Sequence, residues 1–376
     1  MKKTAVYLLF LCIIASFGLA GPAAQAEEKA ESAGKAVRNM VLGWNLGNTF
    51  DATGDWILQN TKGKSQDFET AWGNPVTPDG LMSRIKALGF NAVRIPVTWQ
   101  YHINSHGNID RAWLKRIRQV VDQALGADLY CIINVHHDTG SDYGWLHASA
   151  SDYEAHRRQF ASIWRQIAKY FKNYPDRLLF EGFNEMLDNN NEWSYPSAEA
   201  NQYINAYNQL FVDTVRDTGG RNTDRNLVVT TYAAAVTDEA LRGFDLPRDS
   251  VWDHLIAEVH FYGPVEFTHD WPGTWTGPES VYSPYVEQIV DDAFARIGNY
   301  FGKTPLIIGE FGTCNKGNTK ERIKWCTSVI AKAKSIGAVC FLWDNGLESS
   351  MGLIDRVGKN DPFPEIVSAC VEAATK

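Results

Sequence analysis

The run Leu129-Tyr130-Cys131-Ile132-Ile133-Asn134-Val135, a segment of helical period from Asp152 to Phe171, and a second run, Leu178-Leu179-Phe180-Glu181-Gly182-Phe183, decide how this chain folds. Neither apolar run alternates with polar residues, so each is expected to be covered on both faces, as strands of a parallel sheet are. The helix between them is the crossover that two parallel strands need. The same unit recurs outward in both directions. Further runs are Val41-Leu42-Gly43-Trp44-Asn45, Ala92-Val93-Arg94-Ile95-Pro96, Leu227 to Thr231, Ile256 to Phe261, Leu306 to Gly309 and Val339 to Trp343. Helical periods fall at Asp79 to Leu88, Asp110 to Leu125, Ala198 to Thr218, Pro284 to Phe301, Thr319 to Ile336 and Glu365 to Ala374, with a short one within Asp238 to Gly243. Eight strands alternating with eight helices predict a single-domain α/β fold, the (β/α)8 or TIM barrel, with a doubly wound open sheet as its rival.

The chain has 376 residues. It begins with Lys2-Lys3, an apolar stretch from Ala5 to Ala20 and a small-residue end at Ala24-Gln25-Ala26, the pattern of a cleaved secretory leader. That apolar core is shorter than the roughly 20 residues a membrane span needs. Cys12 follows Leu9-Phe10-Leu11, where a lipid attachment site would have small side chains. The expected division is therefore a leader at 1–26, an N-terminal extension at 27–38 and a catalytic barrel at 39–376. A secreted, extracellular protein is expected, with no appended binding module. The net charge of −8 has no basic clustering and argues against nucleic acid or an anionic membrane as a partner; a monomer is expected. Without Cys12 the cysteines are Cys131, Cys314, Cys326, Cys340 and Cys370, an odd set. Cys131 and Cys340 fall in strands and read as small buried side chains. Cys314 could bridge to Cys326.

In a barrel of this kind the functional groups stand at the C-terminal ends of the strands. Those ends carry Asn45 and Asn48, Arg94, His136-His137-Asp138, Asn184-Glu185, His260 and Tyr262, Glu310, and Trp343-Asp344-Asn345. Strands four and seven lie roughly across the barrel from each other, so Glu185 and Glu310 can converge over its mouth. A pair of carboxyl groups is what cleavage of a glycosidic bond requires, one to protonate the leaving oxygen and one to meet the anomeric carbon. Their pKa values must be pushed apart. Arg94 can hold Glu310 ionised, with Tyr262 donating a hydrogen bond to it, which leaves Glu185 as the proton donor. The adjacent histidines and Asp138 invite a metal reading. Neighbouring residues leaving a strand point to opposite sides, however, and no metal-ligand spacing is present, so no metal or other cofactor is expected. His136 reads as a substrate-binding residue, with His137 beside it. The sequence has 13 tryptophans. Those in segments that follow strands, among them Trp44, Trp56, Trp72, Trp99, Trp145, Trp193, Trp271, Trp275 and Trp343, can serve as platforms for sugar rings or as core.

These motifs resemble glycoside hydrolase family 5, and within it the secreted bacterial endo-β-1,4-glucanases. The resemblance runs from about residue 40 to residue 356 and is carried by Gly43-Trp44-Asn45-Leu46-Gly47-Asn48-Thr49, Trp72-Gly73-Asn74-Pro75, Val93-Arg94-Ile95-Pro96-Val97-Thr98-Trp99, Asn134-Val135-His136-His137-Asp138, Phe183-Asn184-Glu185, His260-Phe261-Tyr262, Gly309-Glu310-Phe311-Gly312 and Trp343-Asp344-Asn345-Gly346. It implies that Glu185 is the acid/base and Glu310 the nucleophile of a retaining mechanism. Arg94 and Tyr262 would hold the nucleophile and Asn184 would bond the sugar 2-hydroxyl. His136, His260 and Trp343 would line the subsite before the cleaved bond. The substrate implied is a cellulose-like or mixed-linkage β-glucan, with xyloglucan, mannan and xylan as alternatives. One departure stands out: Met186 occupies a position where the family usually has proline, which leaves the path of the following loop undetermined. A carbohydrate-binding protein on a retired barrel would lack one carboxylate, and both are present. A metal-dependent barrel hydrolase is the remaining competitor.

Overall fold

The computed structural model describes residues 30–140, 143–270, 278–358 and 360–376; the expected leader with Cys12, and Trp271 and Trp275, lie outside them. Eight parallel strands close into a barrel in chain order: β1 Gly43–Leu46, β2 Ala92–Ile95, β3 Tyr130–Asn134, β4 Leu178–Glu181, β5 Leu227–Thr230, β6 Leu255–Phe261, β7 Leu306–Phe311 and β8 Val339–Asp344. All eight expected strands and helices are present, and β1 pairs with β8 to complete the ring. Two short helices in the β1–β2 connection, Asp55–Asn60 and Ser65–Glu69, have no counterpart in the sequence reading. Among the described residues no helix is long and apolar enough to cross a membrane.

The helices follow from local chemistry. Asp110, Ser149, Ser197, Thr237 and Ser283 each accept a hydrogen bond at the start of the helix they precede, satisfying an amide that the helix leaves open. Arg111–Gly126 is typical of the outer layer. It buries Trp113, Leu114, Ile117, Val120, Val121 and Ala124, a stripe at three- and four-residue spacing, and turns charged side chains to solvent.

Side chains that alternate along each strand point either to the helices or into the barrel. The lower part of the interior is apolar: Ala92, Tyr130, Ile132, Leu179, Val228, Ile256, Ile307, Val339 and Phe341 pack together. Gly43 belongs to this layer because of Phe341, whose ring would lie 2.1 Å from any Cβ at that position. Ala33, Ala36, Val37 and Met40 join the same cluster, so helix Ala33–Asn39 forms the floor of the barrel. Its start is tied down by Ala33 N–H donating to the Asp253 carbonyl at 2.6 Å. The segment expected as an extension up to residue 38 is therefore part of the barrel from residue 33 onward. Three apolar side chains of this short helix, with Met40 just after it, cover an opening that the strands alone would leave wet.

Two residues further along the same inward-facing lanes, the interior becomes polar, with Asn45, Arg94, Asn134, Glu181 and Glu258 all buried and His260 buried two residues beyond Glu258. The ladders of β7 are irregular at this height. Its register with β6 shifts between Val259 and His260, and its register with β8 shifts between Ile308 and Phe311. A bulge of this kind re-aims one side chain, and the residue it re-aims here is Glu310.

Candidate active site

Arg94 is the hub of the polar layer and is 0% exposed. Its Nε donates to Glu181 Oε2 at 2.6 Å and its Nη2 to Glu181 Oε1 at 2.8 Å, a two-point pairing. Nη2 also donates to Asn184 Oδ1 at 2.9 Å, and Nη1 to Asn45 Oδ1 at 3.0 Å and Glu310 Oε1 at 2.7 Å. One guanidinium thus fixes residues from β1, β4, the loop after β4 and β7. Its Nε lies 3.6 Å from Glu258 Oε1 on β6.

The remaining oxygen of Glu310 accepts from the Tyr262 hydroxyl at 2.9 Å. Glu185 Oε1 lies 2.7 Å from His260 Nδ1, which is 3.8 Å from Glu310 Oε2. One oxygen from each of Glu185 and Glu310 and a nitrogen of His260 all fall within 4.8 Å of one another. The expected convergence of the two glutamates over the barrel mouth is what the fold produces.

The proton is placed differently from expectation. Burial opposes a charge on His260, yet the Glu310 charge and the contacts with Glu185 and Glu258 push it up to about 10. Burial also raises Glu185, but the hydrogen bond from His260 and the charges of His260, His137 and Arg94 outweigh it and hold the carboxyl below its ordinary value. Glu310 stands above its ordinary value because burial and the neighbouring Glu185 charge prevail over His260 and Arg94. These opposed shifts favour the imidazole over Glu185 as the seat of the proton that the hydrogen-bonded pair shares. The cause is local: the acids that converge on His260, Glu310 first and then Glu185 and Glu258, favour a charge on its imidazole against the cost of burial.

His136 behaves in the opposite sense. Burial, reinforced by His137, Arg94 and His260, drives it well below the ordinary imidazole value, so it is neutral. Its tautomer follows from Asn134. The Asn134 Oδ1 accepts from Val97 N at 2.9 Å and its Nδ2 donates to Glu181 Oε1 at 2.8 Å, so the amide nitrogen is also what meets His136 Nδ1 at 3.0 Å. Nδ1 therefore accepts and Nε2 carries the hydrogen. This bears on a second donor cluster, in which Asp51, His136 and His137 bring one atom each within 4.8 Å. A histidine whose Nδ1 is occupied and whose Nε2 is protonated has no lone pair for an ion. Asp51 meanwhile accepts the Asn48 and Thr49 amides at 2.9 and 2.6 Å. The donor set suits binding of hydroxyl groups better than a metal.

Above these groups is a cavity of about 230 Å³ lined by Thr53, Trp72, His137, Thr139, Asn184, Glu185, Tyr143 and Trp193. Arg94 takes the Asn184 carbonyl oxygen, so the group Asn184 can offer a hydroxyl is its NH2 donor. Trp343 lies parallel to His136, with ring centroids 6.0 Å apart.

Other strand-end residues serve the frame. Asp138 accepts from Trp99 N at 2.8 Å and from Trp145 Nε1 at 2.7 Å. Asp344 accepts from Trp44 Nε1 at 3.1 Å, Gly346 N at 2.8 Å and Ile354 N at 3.0 Å. Trp44 and Trp99 are fully buried core, not platforms. Met186 is buried and its carbonyl accepts from Ala233 N at 3.2 Å, while Leu187 O accepts from Ala148 N at 2.8 Å. Burial of Met186 and these two main-chain bonds thus set the loop course where the family commonly has proline. The five cysteines are buried and free; Cys314 lies 3.6 Å from Ser350 Oγ, and the Cys326 thiol meets Cys370, not Cys314.

Glu181, Glu258 and Asn134 were not among the residues picked from the sequence. The available signal was a carboxylate at an inward position of an otherwise apolar run, which can be buried only with a partner.

An eight-stranded parallel barrel with a converging pair of carboxyl groups over its mouth defines a glycosidase-type hydrolase. The chain belongs to glycosyl hydrolase family 5, whose cellulase model matches residues 50–349. It is 35% identical over 351 residues to endoglucanase B of Neocallimastix patriciarum, covering 91% of this chain and 72% of that one. It is 34% identical to endoglucanase A of Clostridium longisporum, of which it spans 65%. Among solved structures it is similar to a family 5 enzyme of Prevotella bryantii B14 in complex with a xyloglucan tetradecasaccharide, at 38% identity and TM-score 0.84, covering 92% of this chain and 99% of that one. It is also similar to a broad-specificity endoglucanase of Ruminococcus champanellensis with bound cellotriose, at 36% identity and TM-score 0.85, covering 92% and 100%.

Proposed function

We propose that the chain is a retaining endo-β-1,4-glucanase in which Glu310 is the nucleophile and Glu185 the acid/base. The observation that carries this reading is the pair of carboxyl oxygens within 4.8 Å of each other. Retaining enzymes hold their carboxyl groups about 5–5.5 Å apart and inverting ones ~6.5–9.5 Å, because the latter must fit a water. Glu310 attacks the anomeric carbon as Glu185 protonates the departing oxygen; water then resolves the glycosyl-enzyme with Glu185 as base. Arg94 and Tyr262 fix both oxygens of Glu310 for in-line attack. Asn184 offers its NH2 to the sugar 2-hydroxyl, and His136, His137, His260 and Trp343 line the bound ring. Endo action on cellulose-like or mixed-linkage glucan is supported by relatives named endoglucanases. A branched β-1,4-glucan is a second substrate, on the strength of the xyloglucan bound to the Prevotella protein. Action outside the cell as a monomer is the reading that the leader-like start and the charge distribution support.

Two measurements test this. Product anomers followed by NMR during hydrolysis of a soluble β-1,4-glucan should show the β-anomer first; early α-anomer would exclude retention. Glu185→Gln should lower turnover of unactivated glucans by roughly 10²–10⁴ while sparing aryl glycosides whose leaving group needs no proton. Equal losses on both substrates would remove Glu185 from the acid role.

A further inference from the structure

Three buried polar atoms at the base of the site have no hydrogen-bond partner among the described residues: both carboxylate oxygens of Glu258 and Nε2 of His260. They face each other, with His260 Nε2 3.6 Å from Glu258 Oε1. Both residues are on β6, at successive inward positions. The place of the Glu258 carboxylate is prepared by Gly309, where a Cβ would fall 1.7 Å from Oε1. Any other residue at 309 would expel it.

Stability does not explain this carboxylate. A buried carboxylate without hydrogen-bond donors is costly, and Arg94 is committed elsewhere, since its Nε is 2.6 Å from Glu181 but 3.6 Å from Glu258; the other cation at that distance is His260 itself. What Glu258 does face is the far side of the imidazole whose near side meets Glu185 at 2.7 Å. A carboxylate at one ring nitrogen and the reacting group at the other is the arrangement by which one acid fixes the tautomer of a histidine that moves protons for another group.

We propose that Glu258 is a positioning residue of the acid step: it keeps the hydrogen of His260 on Nε2, so that Nδ1 is the nitrogen that gives a proton to Glu185 and takes it back. This rests on Glu185 being the proton donor. The Nδ1 proton crosses the hydrogen bond to Glu185 Oε1, and the N–H electron pair stays on Nδ1. A neutral imidazole remains, with its hydrogen facing Glu258, and the glutamic acid so formed protonates the glycosidic oxygen. When water resolves the intermediate, Glu185 takes its proton and the same bond returns one to Nδ1. His260 is faced by Glu185 from the loop after β4, Glu310 from β7 and Glu258 from its own strand, with Arg94 of β2 and neutral His136 from the loop after β3 behind them. Its retention of a proton up to about 10 is consistent with this setting.

Glu258→Gln keeps the shape and removes the charge. The Glu185–His260 pair then loses its shared proton more easily, and the alkaline limb of kcat/KM on an unactivated β-1,4-gluco-oligosaccharide should move down by about 1–3 pH units. Glu258→Asp should restore part of the shift, and an activated aryl glycoside should show none of it in the glycosylation step. A fall in rate that is uniform across pH, with the limb unmoved, would overturn the proposal and leave Glu258 a frame residue. A reading that needs no variant is the ¹⁵N shift of His260 in the intact enzyme: Nε2 should stay protonated throughout while Nδ1 titrates, and the reverse order would also overturn it. Glu185→Gln separates the two claims. If that variant fails to discriminate leaving groups, the acid assignment falls; if it discriminates and the Glu258→Gln limb stays in place, only the present inference falls.

Discussion

Ala92, Leu179 and Ile256 fill the lower half of the barrel; two residues on along the same three strands stand Arg94, Glu181 and Glu258. The lanes and the burial are alike, but the rules of substitution differ. In the lower half each side chain gains by leaving water, and the loss of one leaves a cavity that its neighbours tolerate in proportion to its size. In the upper half no group gains by leaving water. Each is retained because another compensates it, so the loss of one changes the state of all the others. The apolar half with its helical floor serves as the rigid support. The charged half is an electrostatic device built on it.

Paired substitutions can break this comparison. Arg94→Met keeps the approximate volume and leaves Glu181, Glu258 and Glu310 without their shared cation. We expect a loss of about 3–5 kcal/mol by denaturant unfolding near neutral pH. The sign with pH follows from the acids left behind: they become neutral as pH falls, so the deficit should shrink in acid. Leu179→Ala in the lower half should cost about 2–5 kcal/mol, and by the same amount at both pH values. A deficit for Arg94→Met that ignores pH, or one for Leu179→Ala that follows it, would show that the two halves are not held by different physics.

The same contrast explains what could be read from the sequence. Strands and helices were legible because their periodicity reflects burial on one or both faces, and the eight runs fell where the barrel has them. Glu185 and Glu310 were legible because each ends an apolar run. Arg94 was legible as a lone cation inside one. Glu181 and Glu258 were not, because attention to strand ends passes over acids within Leu178 to Phe183 and Ile256 to Phe261. They needed the question of what could neutralise an acid so deep. The proton on His260 was out of reach, since it depends on a contact with Glu185, 75 residues distant, and on two further acids converging there. The helix on the floor was hidden by its brevity: Ala33–Asn39 has 7 residues and matters only because of what it covers.

The smallest effect is expected above both halves, at Trp193. It is 47% exposed in the loop after β4, and it lines the cavity with Glu185, Trp72 and Tyr143. An indole so exposed contributes little to folding, so Trp193→Ala should leave the melting temperature within about a degree of the parent. What it offers is a flat face for a sugar ring, worth about 1 kcal/mol, which corresponds to roughly a fivefold rise in KM on long glucans. Turnover at saturation should be unchanged, because the ring sits beside the reacting groups and not among them. A lower melting temperature would make Trp193 a strut of its loop. A fall in kcat at constant KM would mean that the loop positions Glu185, and the boundary between platform and charged device would then have to be drawn higher.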